Sequence, residues 1–355
     1  MYFCHHLNRD EHYMNRCLEL ANSGRNHVAP NPMVGSVIVH DGTIIGEGFH
    51  RKLGDAHAEV NAINAVKDKT LLAASTIYVN LEPCSHYGKT PPCADLIAKN
   101  KIKRVVIATL DSNPEVAGNG VKHLEKNNIE VSVGILETKA RELNRRFFTY
   151  HEKKRPYIIL KWAQSADGYI DIERKNDNAE IHWISNDQSK RLVHQWRAEE
   201  ASILVGKNTV ISDNPSLTTR EVAGPNPIRI VLDPNNVLKE TSLLYNVFND
   251  QASTLVYNYD LSKSIKNIEY IKLVKQRNFL EQLMKDLYER DVQSIIIEGG
   301  RFTLDRFIED GLWDEARVIR GLPFFNGGIK APNFNYKPVN TDILGTDNID
   351  YYRNS

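Results

Sequence analysis

Two short stretches decide the fold of this chain: HAE at residues 57–59 and EPCSHYGKTPPC at residues 82–93. Each lies where a helix is expected to begin. His57, Cys84 and Cys93 together offer one imidazole and two thiols, a zinc ligand set that leaves the fourth tetrahedral position open. An open position is typical of a catalytic zinc site, where the metal lowers the pKa of a bound water toward neutrality.

Glu59 lies two residues after His57 and can carry a proton beside the metal without binding it. Taken singly, His57 is as compatible with an ordinary polar role, and Cys84 and Cys93 with buried thiols or a disulfide. The combination is more specific, because H-x-E followed by Pro-Cys and a second Cys is typical of zinc deaminases. The gap of eight residues between the cysteines departs from the usual gap of two.

Composition limits the classes of protein that fit. A chain of 355 residues is long enough for two domains. Its 45 basic and 45 acidic residues balance, which argues against a general nucleic-acid binder. Apolar residues make up 41%, but no apolar run reaches the length of a membrane helix, and the N-terminus is polar. Four cysteines do not make a disulfide scaffold, so we expect a cytoplasmic protein. From the charge balance and the lack of a long apolar run, we expect no nucleic-acid or membrane partners.

The first half of the chain alternates predicted strands and helices, which indicates a layered α/β sheet. Asp41-Gly42 separates two apolar runs and predicts a tight hairpin. Residues 140–155 have the pattern of a basic, solvated helix that stops at Pro156, where a strand and helix pattern restarts. We therefore expect two domains, residues 1–150 and 151–355, with the Asn-rich C-terminus forming a weakly determined tail or edge.

Three blocks of the first half, NPMVG at 31–35 and the two stretches quoted first, resemble one family. They are similar to the bifunctional riboflavin-biosynthesis proteins, in which a pyrimidine deaminase is joined to a reductase. The long gap between the cysteines is specific to this resemblance, which covers nearly the whole chain. It implies an α/β protein with an N-terminal cytidine-deaminase-like three-layer α/β/α domain and a dihydrofolate-reductase-like α/β domain after it.

The resemblance also implies roles for individual residues of the first domain. One zinc ion is expected at His57, Cys84 and Cys93, with Glu59 as the proton carrier. Substrate contacts are expected from Asn31, His50 and Lys89. On the residues alone, His50 and Lys89 are equally compatible with the surface.

The second half carries further blocks of the same family: LKWAQSADG at 160–168, HWIS at 182–185, LVGKNTV at 204–210, DNPSL at 213–217 and IEGG at 297–300. It lacks a G-x-G-x-x-G fingerprint after its first strand. The glycines before a helix in the last block would let backbone N–H groups approach a phosphate. Lys161 is unusual on its own terms, since a lysine within an apolar strand must reach solvent or face a polar site.

The resemblance assigns the reductase residues in three sets. Catalysis is expected from Lys161 and Asp213. NADPH is expected at Ala163, Trp183, Thr209, Asp213, Gly300, Arg301, Phe302 and Thr303. The substrate is expected at Arg197, Leu217, Arg220 and Glu298. Ile181 departs from the Ser that the family usually has there.

The expected function is therefore a two-step enzyme of riboflavin synthesis. A hydrolytic deamination of a phosphoribosylaminopyrimidine, a small-molecule substrate, would be followed by NADPH-dependent reduction of its ribosyl group. A homo-oligomer is also expected. Two alternatives remain open: a nucleoside or tRNA zinc deaminase with an unrelated C-terminal domain, and a deaminase whose reductase domain is inactive.

Overall fold

The computed structural model describes residues 9–85, 91–113, 117–172, 182–238 and 244–354. The chain divides between Lys153 and Lys154 into two compact units. The predicted boundary after residue 150 falls within the last helix of the first unit. Within the described residues, no helix combines the length and apolar character needed to cross a membrane.

The first unit contains strands that form one sheet in the order β2-β1-β3-β4-β5. Its strands are β1 Gly35–His40, β2 Thr43–Phe49, β3 Thr76–Val79, β4 Arg104–Ile107 and β5 Glu130–Val133. Its helices are α1 Arg9–Asn22, α2 Ala58–Ala65, α3 Cys93–Lys99, α4 Asn119–Lys126, α5 Glu137–Leu143 and α6 Arg145–Lys153.

Alternation along β1 explains why this sheet is covered on both faces. Val37 and Val39 point to one side and pack in a cluster with α1 and α5. Ile38 points to the other side, into a cluster with α2, α3 and α4. Successive strand residues face opposite sides of a sheet, so this pattern produces three layers. The predicted α/β/α architecture is confirmed, and Asp41 and Gly42 form the β1–β2 turn with φ of 47° and 77°.

The predicted basic helix over 140–155 is wrong in two respects. The helix is interrupted at Asn144, whose side chain bonds both the N–H and the carbonyl of Met33. The second part, α6, is not simply solvated, since it buries Phe147, Phe148 and Tyr150. Aromatic side chains spaced through the basic run provide this apolar face.

The second unit is built on a long mixed sheet in the order β11-β12-β10-β9-β8-β13-β6-β14-β17-β16, with β7 and β15 paired separately. Its strands are β6 Tyr157–Gln164, β7 Tyr169–Asp171, β8 Ser202–Gly206, β9 Ile228–Leu232, β10 Thr254–Asn258, β11 Lys263–Ile265, β12 Ile268–Lys272, β13 Ser294–Ile297, β14 Glu315–Arg320, β15 Ile329–Lys330, β16 Asn340–Leu344 and β17 Asp347–Arg353. Its helices are α7 Asp187–Glu199, α8 Lys207–Asp213, α9 Phe279–Glu289 and α10 Arg301–Glu309.

Helices cover both faces of this sheet as well. Helices α9 and α10 contribute to one buried cluster and α7 and α8 to the other. Strands β6, β8 and β13 run parallel, so their carboxyl ends meet at one edge, where ligands bind in open α/β sheets. The C-terminal residues form one edge of this sheet, which is one of the two predicted alternatives, with β16 outermost. They are not a weakly determined tail, because β17 pairs with β14 and buries Ile349 and Tyr352.

Candidate functional site

The three predicted zinc ligands come together at the carboxyl end of β3. His57 immediately precedes α2, Cys84 follows β3, and Cys93 begins α3. His57 Nδ1 lies 3.6 Å from Cys84 Sγ and 3.3 Å from Cys93 Sγ, and all three ligand atoms lie within 4.8 Å of one another. Zinc bonds of about 2.1 Å to nitrogen and about 2.3 Å to sulfur place tetrahedral ligands roughly 3.6–3.8 Å apart. The donor set therefore fits zinc in both spacing and chemistry.

The environment shifts the pKa values of the three ligands in different directions: that of Cys84 is lowered, whereas those of His57 and Cys93 are raised. The Cys93 side chain and backbone N–H both bond Cys84 Sγ and lower the pKa of that thiol, and a thiolate is the form that binds zinc. Glu59 lies in the first turn of α2 and is only 3% exposed. Burial, followed by the charge on Cys84, raises the pKa of Glu59 to about 7. A carboxyl near neutrality can both accept and donate a proton.

Two of the predicted substrate residues, Asn31 and His50, lie against this centre. The buried His50 ring stands edge-on to His57, with the ring centroids 5.7 Å apart. His50 Nδ1 lies 3.2 Å from the carbonyl oxygen of Ala56, so this nitrogen carries the proton and donates. Its Nε2 then accepts from Asn31 Nδ2 at 3.1 Å. Lys89, the third predicted residue, lies outside the described residues, as does Ile181 of the second unit.

Asparagines that the sequence did not single out hold the segment that carries Asn31. Asn144 accepts from the Met33 N–H at 2.8 Å and donates to the Met33 carbonyl at 2.9 Å. Asn80 also donates to that carbonyl, at 3.0 Å, and accepts from the N–H of Gly35 at 2.7 Å. Both asparagines are buried, and nothing in their sequence surroundings distinguishes them from turn residues.

Glu82 is a further residue whose importance only the structure reveals. Its buried carboxylate accepts the backbone N–H groups of Asp111 at 3.2 Å, Gly118 at 2.9 Å and Val121 at 3.1 Å. A carboxylate at the start of a helix is stabilised by the unpaired N–H groups there, and Val121 lies in the first turn of α4. Glu82 thereby fastens the start of α4 to the segment that leads into Cys84.

In the second unit, a cavity of about 1790 Å³ opens at the carboxyl ends of β6, β8 and β13. The predicted reductase residues all line it: Lys161, Ala163, Trp183, Arg197, Thr209, Asp213, Leu217, Arg220, Glu298, Gly300, Arg301, Phe302 and Thr303. They come from distant parts of the chain. Their convergence follows from the parallel order of the strands, which brings the ends of nonconsecutive segments together.

A charged group of three side chains lies within this cavity. Arg197 donates two hydrogen bonds to Glu298, at 3.2 and 2.8 Å, and Lys161 Nζ lies 3.9 Å from the same carboxylate. Burial by itself raises the pKa of Glu298, but Arg197 and Lys161 outweigh it and hold the value at about 2. Burial lowers the pKa of Lys161, and Glu298 partly restores it. Lys161 therefore faces a polar site instead of solvent.

Glycines make room at the ends of β8 and β13. A Cβ on Gly299 would lie 2.5 Å from the Cα of Val205, and one on Gly206 would lie 2.8 Å from Thr303 Oγ1. Gly300 precedes α10 with a φ of 46°, in the left-handed region. Helix α10 begins directly after Gly300 in this glycine cradle, and the start of a helix is suited to a phosphate.

The chain matches known proteins over both units. Residues 7–109 match the family described as the cytidine and deoxycytidylate deaminase zinc-binding region. Residues 156–338 match the RibD C-terminal domain family, which excludes the alternative of an unrelated C-terminal domain. The chain is 38% identical to the riboflavin biosynthesis protein RibD of Aquifex aeolicus over 339 residues, covering 94% of this chain and 93% of the relative. It is 34% identical to RibD of Escherichia coli, covering 93% and 96%.

Solved structures that are similar to this chain belong to the same family as these relatives. A diaminohydroxyphosphoribosylaminopyrimidine deaminase/5-amino-6-(5-phosphoribosylamino)uracil reductase from Thermotoga maritima superposes with a TM-score of 0.86 at 36% identity, covering 97% of this chain and 98% of that one. RibD of Acinetobacter baumannii superposes with a TM-score of 0.85 at 31% identity, with the same coverage. The chain therefore belongs to the family of bifunctional riboflavin biosynthesis proteins, in which a zinc-binding deaminase and a reductase are joined in one enzyme.

Proposed function

We propose that this enzyme deaminates 2,5-diamino-6-(5-phosphoribosylamino)pyrimidin-4(3H)-one in its first unit. Its second unit then reduces the ribosyl group of the product, 5-amino-6-(5-phosphoribosylamino)uracil, with NADPH. The observation that carries the proposal is the set of three ligand atoms within 4.8 Å of one another beside the buried carboxyl of Glu59. Support for the substrates comes from the name of the Thermotoga maritima enzyme, which is similar to this chain along 97% of its length.

In the deaminase half, His57, Cys84 and Cys93 would hold zinc. Bound there, the metal supplies Lewis acidity that activates water for attack on the amino-bearing carbon. Glu59 takes a proton from the attacking water and delivers it to the departing amine, so that a C–O bond forms, the C–N bond breaks and ammonia leaves. Asn31 and His50, already paired beside His57, contact the substrate, and we assign Lys89 to its phosphate.

In the reductase half, the cavity would hold both NADPH and the deaminated intermediate. When bound there, the cofactor would supply the hydride for reduction of carbon 1 of the ring-opened ribose. Lys161 and Asp213 are the proposed catalytic residues. Cofactor contacts are assigned to Ala163, Trp183, Thr209, Asp213, Gly300, Arg301, Phe302 and Thr303, and substrate contacts to Arg197, Leu217, Arg220 and Glu298. The glycine cradle supports the cofactor assignment, because it lets the backbone approach a phosphate group closely.

The two arginines differ in what they can offer the substrate. The paired donors of Arg197 are directed at Glu298, so this side chain orients the carboxylate as well as lining the cavity. Among the described residues, the exposed Arg220 guanidinium donates one hydrogen bond, to Thr218 Oγ1. Arg220 is therefore the better candidate for the phosphate of the ribosyl chain.

The proposal is tested by following ammonia release and NADPH oxidation separately on the purified full-length enzyme. Glu59→Gln should lower ammonia release by about 100-fold or more, the scale of general acid–base catalysis. The same variant should still reduce the intermediate when this is supplied already deaminated. Lys161→Ala should show the opposite pattern. Matched controls are Glu289→Gln and Lys285→Ala, which change exposed side chains of the same types.

The outcomes separate the two halves of the proposal. Ammonia release that survives Glu59→Gln would remove Glu59 from the deaminase chemistry. A wild-type enzyme that releases ammonia but never oxidises NADPH would overturn the reductase assignment. The departure at Ile181 would then be the first position to revert to Ser. A cytoplasmic location and a homo-oligomeric state are further proposals, which fractionation and light scattering test directly.

A further inference from the structure

His194 lies in the reductase cavity and has no part in the roles assigned above. It is on α7, one turn before Arg197, and its side chain is 6% exposed. The backbone N–H of Arg220 donates to His194 Nδ1 at 3.1 Å. Because a backbone N–H can only donate, Nδ1 must be the unprotonated nitrogen, and the ring proton is on Nε2.

The charges around His194 keep it in this form. Burial is the largest cause that lowers the pKa of His194. Arg197 on the same helix and Arg220 on the facing loop lower this pKa further. Glu221 on that loop and Glu298 at the end of β13 oppose this only in part, and the pKa is about 4. The ring is therefore neutral at physiological pH and remains an acceptor between two guanidinium groups.

The loop that His194 bonds contains a residue in an uncommon backbone conformation. Leu217 has a φ of 53°, a left-handed conformation that is uncommon for a non-glycine residue, and its side chain is buried. Two side chains of helix α7 form hydrogen bonds with the backbone of this loop. Arg197 donates to the Thr218 carbonyl at 3.4 Å, and His194 accepts from Arg220 two residues later. The hydrogen bond to His194 fixes the backbone from which the Arg220 side chain extends.

We propose that His194 is a positioning residue of the reductase, whose Nδ1 anchors the backbone at Arg220 so that the guanidinium meets the phosphate of the substrate. The inference rests on the proposed function, because it takes Arg220 to bind that phosphate. It adds a residue that acts through Arg220 without touching the substrate. Its signature is a loss of affinity for the phosphorylated substrate with the hydride-transfer step intact.

Two replacements separate the hydrogen bond from packing. His194→Phe keeps a ring of similar size but removes the acceptor. His194→Asn puts an amide oxygen near the position of Nδ1 and cannot titrate. We expect His194→Phe to raise KM for the deaminated phosphorylated substrate about tenfold, the scale of one weakened charge-assisted hydrogen bond, with kcat within about twofold of wild type. His194→Asn should restore KM to within about threefold.

A non-phosphorylated ribosyl analogue, used as a competitive inhibitor, provides the discriminating readout. Its Ki should be nearly the same in wild type and in His194→Phe. Retention of kcat for NADPH oxidation by the same preparations reports that the second unit is folded. The inference is overturned if His194→Phe weakens the analogue as much as the phosphorylated substrate, or if His194→Asn fails to rescue KM.

Arg220→Met distinguishes this failure from failure of the proposed function. If Arg220→Met weakens the phosphorylated substrate but not the analogue, Arg220 binds the phosphate, and a null result for His194→Phe rejects His194 alone. If Arg220→Met does not discriminate between the two compounds, the phosphate assignment of Arg220 itself is wrong.

Discussion

Replacing Glu298 by Gln should destabilise the second unit, because it breaks a charged group in the interior of the cavity. The Glu298 side chain is 9% exposed, and those of Arg197 and Lys161 are 12% and 14% exposed. The variant keeps the size of the side chain and removes only its charge. Both cations then lose the carboxylate that compensates them, although their side chains are largely buried.

The magnitude follows from the pKa of Glu298. This value is about 2, against an ordinary 4.5. The difference of about 2.5 pH units corresponds to about 3–4 kcal/mol of unfolding free energy at neutral pH. It agrees in scale with the roughly 3–5 kcal/mol lost when one partner of a buried ion pair is removed. For a unit of about 200 residues, the melting temperature should fall by about 7–14 °C.

The sign of the pH dependence is fixed by the lowered pKa. A carboxyl with a depressed pKa in the folded state contributes its full stabilisation above the unfolded value of 4.5 and loses it as the pH falls toward 2. The difference between wild type and Glu298→Gln should therefore be constant from pH 7 to pH 6. It should shrink by about 1 kcal/mol at pH 4.

Differential scanning calorimetry of the full-length chain measures this effect. Under the proposed cofactor assignment, added NADPH should shift one transition upward, and that transition is assigned to the second unit. Glu289→Gln is the matched control, because Glu289 is an exposed partner of Lys285 and its loss should cost less than about 0.5 kcal/mol. A Glu298→Gln protein that melts within about 2 °C of wild type at pH 7 would refute the reasoning. It would mean that the cost of burying the three charges cancels their attraction.

Three other changes have specific expected outcomes. Glu82→Ala should lower the unfolding free energy of the first unit by about 3 kcal/mol, since it leaves three backbone N–H groups without their acceptor, and thermal melting with Glu82→Gln as the milder comparison measures this. Cys84→Ser should reduce bound zinc from about one per chain to near none by metal analysis, with NADPH oxidation on the deaminated intermediate retained. Gly299→Ala should weaken NADPH binding at least about tenfold by fluorescence titration, because its Cβ would lie 2.5 Å from the Cα of Val205.

Each of these expectations has a clear contrary result. Equal melting of Glu82→Ala and wild type would show that water replaces the lost acceptor. A full zinc content in Cys84→Ser would remove Cys84 from the ligand set. Unchanged NADPH affinity in Gly299→Ala would show that the cradle can shift without moving the start of α10.

Much of the deaminase centre could be predicted from local sequence. His57 and Glu59 are two residues apart at the start of a helix, and the cysteines frame one loop, so short-range spacing already encodes their chemistry. The alternation in the first half predicted the layers of the sheet for the same reason, because strand and helix periods are local properties. The helix over 140–155 was mispredicted at Asn144, whose side chain bonds Met33, more than a hundred residues away.

Most of the reductase residues were predicted through resemblance, with only Lys161 and the glycines before α10 distinguished by their local sequence, and the structure added what resemblance did not contain. Glu82 and His194 were not singled out as positioning residues, because their partners are backbone N–H groups of distant segments. Every residue except proline has a backbone N–H, so the residue type at a position does not show whether that N–H bonds a distant side chain. The sequence by itself predicted most of the elements, a candidate set of zinc ligands and the class of enzyme. The tertiary structure alone decided which buried side chains orient the site, since burial and long-range hydrogen bonds exist only once the chain has folded.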